Sequence, residues 1–74
     1  MSERILDLTG LKCPLPALMA KRALQNAPKG TVITVIANDP LAHIDLPHMC
    51  RQEGFEILGT ARDGDTIRLV LRRR

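Results

Sequence analysis

Residues 15–37, LPALMAKRALQNAPKGTVITVIA, change their hydrophobic period halfway, and that change decides the fold. In the first part, 15–27, good helix formers dominate. Ala17, Ala20, Leu24 and Ala27 recur at spacings of three and four, which lays one apolar stripe along a helix. Asn26, Pro28 and Gly30 stand where a chain leaves a helix. The second part, 31–37, is β-branched and almost continuously apolar, the pattern of a central strand covered on at least one face.

Working outward, Ile5 to Thr9 alternates, with Leu6 and Leu8 on one side and Asp7 on the other, until Gly10 breaks the run; this predicts a first strand. Downstream, NDPLAHIDLPHMCRQEG at 38–54 predicts a second helix between Asp39, an N-cap candidate ahead of Pro40, and Gly54, a C-cap candidate. Pro47 would forfeit a hydrogen bond inside that helix, which leaves a start near Asp45 as the alternative. Phe55 to Arg62 and Thr66 to Arg72 alternate around Asp63-Gly64-Asp65, a tight hairpin signal. The order β-α-β-α-β-β, one apolar stripe per helix and right-handed crossovers predict an α+β, two-layer sandwich. Its four-stranded mixed sheet carries both helices on one face.

With 74 residues, 45% hydrophobic and 26% charged, residues 1–74 read as one small globular domain. A domain of this size buries only roughly 60% of its unfolded surface, which argues against a large enclosed active site. The opening MSERILDLTG carries Glu3 and Asp7 where a leader's apolar segment would be. No apolar run approaches the ~20 residues of a membrane span, so the expected location is the cytoplasm, with no membrane partner. There, Cys13 and Cys50, which form no C-x-x-C pair, are expected as free thiols. The net charge of +3 gathers in Arg68 and Arg72 to Arg74, with Lys12, Lys21, Arg22 and Lys29 as an earlier group. Such a surface suits nucleic acid or an acidic protein partner.

GLKCPLP at 10–16 is where chemistry concentrates. Pro14 fits a first helical turn, which makes Cys13 the expected N-cap. Free backbone N–H groups, the helix dipole and neighbouring Lys12 would then favour the thiolate, and such surroundings take a thiol from about pKa 8.5 to ~3.5–7.5. Pro14 and Pro16 stiffen the backbone around the sulfur. Because Pro16 occupies the place of a resolving cysteine, an internal disulfide of the redox-motif kind is excluded. The residues leave two readings of Cys13: a nucleophilic sulfur that accepts a group and cannot expel it by vicinal attack, suited to a carrier, or a small buried hydrophobe beside prolines that shape a helix start.

LDLTGLKCPLPALMAKRAL resembles the signature of the TusA family of sulfur carriers, whose C-P-x-P motif opens the first helix. NDPLAHIDLPHMC, the Gly54 turn and the closing basic strand extend the resemblance over nearly the whole chain. The resemblance implies a fold like the C-terminal domain of translation initiation factor 3, and a sulfurtransferase in the sense of a persulfide carrier, without turnover of its own. Cys13 would accept sulfane sulfur from a cysteine desulfurase or rhodanese-type donor and pass it to an acceptor sulfurtransferase. The acceptor pathways it implies are tRNA 2-thiolation, molybdenum-cofactor assembly and sulfur oxidation. The motif's third position is Leu15, where several relatives carry an acidic residue.

Helical projection turns Leu18 and Met19 outward beside Arg22. Leu15, Leu18, Lys21 and Arg22 therefore form the candidate partner-docking patch, against the plain alternative of scattered exposed apolar residues. Asp39 and Asp45 read first as helix caps and second as docking residues for a basic partner surface. Cys50, near Met49 and Phe55, reads as a packing residue. His43 and His48 lie five apart without a C-x-x-C knuckle or an H-x-x-x-H pair, so no metal and no cofactor are expected. One aromatic residue, Phe55, provides no stacking platform, which leaves a small basic nucleic-acid-binding or regulatory module as the alternative function. The expected state is a monomer.

Overall fold

The computed structural model describes residues 3–74; Met1 and Ser2, the first residues of the segment read against a leader, lie outside them. The elements follow in the order β1 (Glu3–Asp7), α1 (Leu15–Gln25), β2 (Val32–Ala37), α2 (Ala42–Glu53), β3 (Glu56–Asp63) and β4 (Thr66–Arg72). The sheet order is β1-β2-β4-β3. β1 and β2 run parallel, and β4 is antiparallel to both β2 and β3. This is the mixed four-stranded α+β arrangement expected from the change of period.

The strand pattern sets where the core lies. Ile33, Val35 and Ala37 of β2 stand opposite Leu71, Leu69 and Ile67 of β4, and all six are buried. Their neighbours in sequence, such as Thr34 and Val70, turn to the other face and are only half-buried. Helix α1 brings Pro16, Ala20 and Leu24 to this core, and α2 brings Ala42, Leu46, Met49 and Cys50. Each fully buried Leu or Ile contributes about 1.5–3 kcal/mol relative to exposure, so these two short stripes hold both helices on the sheet.

Several boundaries differ from the expectations, each for a local reason. Strand β1 closes at Asp7 and not at Thr9, because the Asp7 carboxylate accepts hydrogen bonds from the Thr9 N–H (3.0 Å) and hydroxyl (2.7 Å) and folds the chain into a turn. Helix α1 stops at Gln25, where Asn26 is the C-cap and donates to the Arg22 carbonyl. Asp39 is not the N-cap of α2. Its carboxylate accepts from the Leu41 N–H (3.0 Å) and its carbonyl from the Ala42 N–H (3.0 Å), which makes a turn ahead of a helix whose N-cap is Leu41. The helix therefore begins before Asp45 and runs through Pro47, whose missing N–H would have served the His43 carbonyl. Gly54 does close α2, at φ 77°, with its N–H on the Cys50 carbonyl.

Candidate functional site

Two loops and two helices bring the chemistry-bearing residues together. The loop after β1 is tied down by the Gly10 N–H, which donates to Asn38 Oδ1 (2.8 Å) in the loop after β2. Cys13 therefore emerges beside the start of α2, although 32 residues separate it from Asp45. The Cys13 side chain is exposed, and its S–H donates to Asp45 Oδ2 over 2.6 Å. It stands at one end of an open groove of about 260 Å³ between the helices. Pro14, Ala17, Leu18 and Lys21 of the first helix and its approach form one wall, and Asp45, His48, Met49 and Gln52 of α2 form the other. Glu53 braces the far end, accepting from Gln25 Nε2 (3.1 Å) and lying 3.5 Å from Lys21 Nζ.

Cys13 is not the N-cap of α1. Pro14 holds that position without a side-chain cap, and the Cys13–Pro14 peptide is cis. The expected stabilisation of a thiolate by Lys12, Pro14 and Pro16 fails for the same reason that the prolines suit a helix start. Neither proline has an N–H, and the Leu15 N–H is engaged by the Lys12 carbonyl at 2.8 Å, so the first turn offers the sulfur few donors. The Cys13 thiol is instead held above its ordinary range. The hydrogen bond to Asp45 is the main cause, followed by loss of solvent and then the negative charges of Asp45 and Asp39. Pro16, the second residue of α1, is buried in the core.

The other candidate residues divide between groove and flank. Leu18 and Lys21 line the groove, and Asp39 reaches the sulfur only through its charge. Leu15, Leu18, Lys21 and Arg22 line an adjoining hollow of about 350 Å³ on the outer side of α1, with Met19 and Gln25. Leu15, Leu18 and Met19 are exposed there. Asp45 lies in the first turn of α2 without capping it. Cys50 is 1% exposed inside the core, where burial pushes its thiol up to about 11. Sequence reasoning missed His48, Met49 and Gln52 as groove residues. Together with Asp45 they recur at spacings of three, four and seven, one helical face that points along α1, but only a known pairing of the helices reveals what it faces.

Among the described residues no group of three or more potential metal ligands comes together. Among the same residues no helix is long and apolar enough to cross a membrane. A further hollow of about 310 Å³, between α2 and the β3–β4 hairpin, is lined by residues such as His43, Thr60, Arg62 and Leu69 and contains no thiol.

Known proteins resemble this arrangement along almost all of its length. The family model described as sulfurtransferase TusA matches residues 4–73. A provisionally named sulfur carrier protein of Neisseria meningitidis serogroup A is 44% identical over 71 residues, covering 96% of each chain. The sulfur carrier protein TusA of Pseudomonas putida is 36% identical over 72 residues, covering 97% of this chain and 90% of its own. The crystal structure of a SirA-like protein from Desulfitobacterium hafniense superposes with a TM-score of 0.78 at 25% identity, covering 93% of this chain and 95% of that one.

Proposed function

The chain belongs to the TusA sulfurtransferase family, and from that membership we propose that it carries sulfane sulfur as a persulfide on Cys13 between a donor and an acceptor protein. Sulfur relay is the role of the family. One observation carries it: the exposed thiol, Cys13, stands in an open groove, while the other, Cys50, is buried in the core. A sulfur loaded on Cys13 therefore meets no second thiol of its own chain that would expel it as a disulfide, and it waits for one from a partner.

The donor is a cysteine desulfurase or a rhodanese-type enzyme, and the acceptor a further sulfurtransferase in tRNA thiolation, molybdenum-cofactor assembly or sulfur oxidation. Both dock on the outer side of α1 and the groove beside it, where Leu15 and Leu18 give apolar contact and Lys21, Arg22 and Asp45 give charges of both signs, with Asp39, in the loop before α2, adding a further negative charge. Such exchange needs reduced thiols, which supports a cytoplasmic location. The alternative reading as a nucleic-acid binder is weakened by the engagement of two arginines of the basic tail. Arg72 pairs with Glu56 at 3.1 Å, and Arg73 Nε donates to the Ala27 carbonyl at 2.9 Å.

Incubation with a cysteine desulfurase and cysteine, followed by intact mass measurement, tests the proposal. The expected result is one added sulfur that a reductant removes and that Cys13→Ser abolishes, with the fold unchanged. Absence of a reducible adduct on Cys13 is the outcome that rules the carrier out.

A further inference from the structure

A proton between a thiol and a carboxylate belongs to the thiol, because the ordinary values are about 8.5 and 3.9. The bond from Cys13 to Asp45 thus fixes the sulfur as neutral S–H, and the neutral thiol is not the nucleophile. Lys12 adjoins it in sequence, and the other charged and titratable groups around it come from the neighbouring elements: Lys21 from α1, Asp39 from the loop before α2, and Asp45 and His48 from α2. Lys21, the cation within the groove, is drawn toward Glu53 at the far end. At the sulfur itself the carboxylates prevail, so the free protein presents a muted nucleophile at an exposed position.

We propose that Asp45 is a positioning residue that holds Cys13 as an unreactive thiol in the free protein, and that a basic side chain of the sulfur donor releases it by pairing with Asp45. The inference rests on Cys13 as the sulfur-bearing residue. In the loading step the Cys13 sulfur bonds to the terminal sulfur of the donor's cysteine persulfide and the donor's S–S bond breaks. The proton that leaves Cys13 ends on the donor's freed cysteine. Cys13 is oxidised from thiol to persulfide as the donor's cysteine is reduced from persulfide to thiol, so no outside oxidant is needed. The device confines reactivity to the docked complex. An encounter with a small electrophile brings no cation to Asp45, whereas a matched donor does.

The test is the pH dependence of Cys13 alkylation by iodoacetamide in the free protein, followed on the Cys13 peptide by mass spectrometry for wild type, Asp45→Asn, Asp45→Glu and Asp39→Asn. Asp45→Asn is expected to move the midpoint down by about one unit and speed alkylation at pH 7 by roughly tenfold. Asp39→Asn should move it less, and Asp45→Glu, which keeps the charge, should stay near wild type. A merely structural role would leave the Asp45→Asn midpoint where it is, and an unchanged or raised midpoint overturns the inference. With a cysteine desulfurase as donor, Asp45→Asn should also raise the KM for sulfur loading roughly threefold or more, as the donor's cation loses its counterpart. An unchanged KM overturns the part assigned to the donor. If wild type takes up no sulfur at all, the carrier reading falls, while the alkylation profiles still decide what Asp45 does to the thiol.

Discussion

Cys13 and Cys50 are the same side chain in opposite surroundings, and both are kept protonated, by different causes. At Cys13 a carboxylate accepts the proton's hydrogen bond, and at Cys50 the core excludes the water an anion would need. Linkage gives the sign of the consequence for stability. A thiol whose pKa is higher folded than unfolded contributes stability that is complete below the unfolded value and lost as pH climbs through the folded one. For Cys50 that window runs from the ordinary thiol range up to about 11. In a Cys13→Ser background, which removes the other thiol, the urea midpoint should fall as pH rises from 9 to 11. The further change Cys50→Ala should flatten that thiol-dependent decline even if it lowers stability at neutral pH. A decline of equal slope in both proteins would show that Cys50 is not the titrating group.

At the scale of elements, α1 and α2 hold the groove open at a fixed width because their apolar stripes reach the same core. Leu46 of α2 is fully buried one residue beyond Asp45, so the packing that anchors the helix also aims the carboxylate at Cys13. Leu46→Ala should cost about 2–5 kcal/mol, read as a lower urea midpoint. Far-UV circular dichroism below the transition should remain that of the folded protein. What the sequence disclosed at this scale is what is local. The Ala20/Leu24 stripe, the β-branched run of β2 and the Asp-Gly-Asp turn each name their element within a few residues. The end of β1 and the beginning of α2 were not legible, because Asp7 and Asp39 use their carboxylates on their own backbone two residues on, and the same residue type serves caps and turns alike. The state of Cys13 was misread because the prolines that mark a helix start also strip it of N–H groups. Its actual partner, Asp45, lies on another helix, a contact no local pattern records.

For the whole molecule the basic tail changes meaning once its contacts are known. Arg73 fastens the end of β4 to the α1–β2 connection: its N–H donates to the Thr31 carbonyl (2.9 Å), its carbonyl accepts from Gly30 (2.7 Å), and its guanidinium reaches Ala27. Part of the positive charge near residue 74 is therefore structural cement. The sheet order has a larger effect. Strand β4, the last strand in sequence, is an inner strand, pairing with β2 on one side and β3 on the other, so the β1–β2 pair reaches β3 only through it. Neither half of the sheet is complete in the absence of residues 66–72, and both helices rest on the face those residues finish. Unfolding should be all-or-none: circular dichroism and the exposure of Cys50 to a thiol reagent should report the same urea midpoint, and separated midpoints would contradict this. A protein built in this way has no partly folded form in which the Cys13 groove survives without its sheet, so a partner that recognises the groove also recognises that the whole chain is folded.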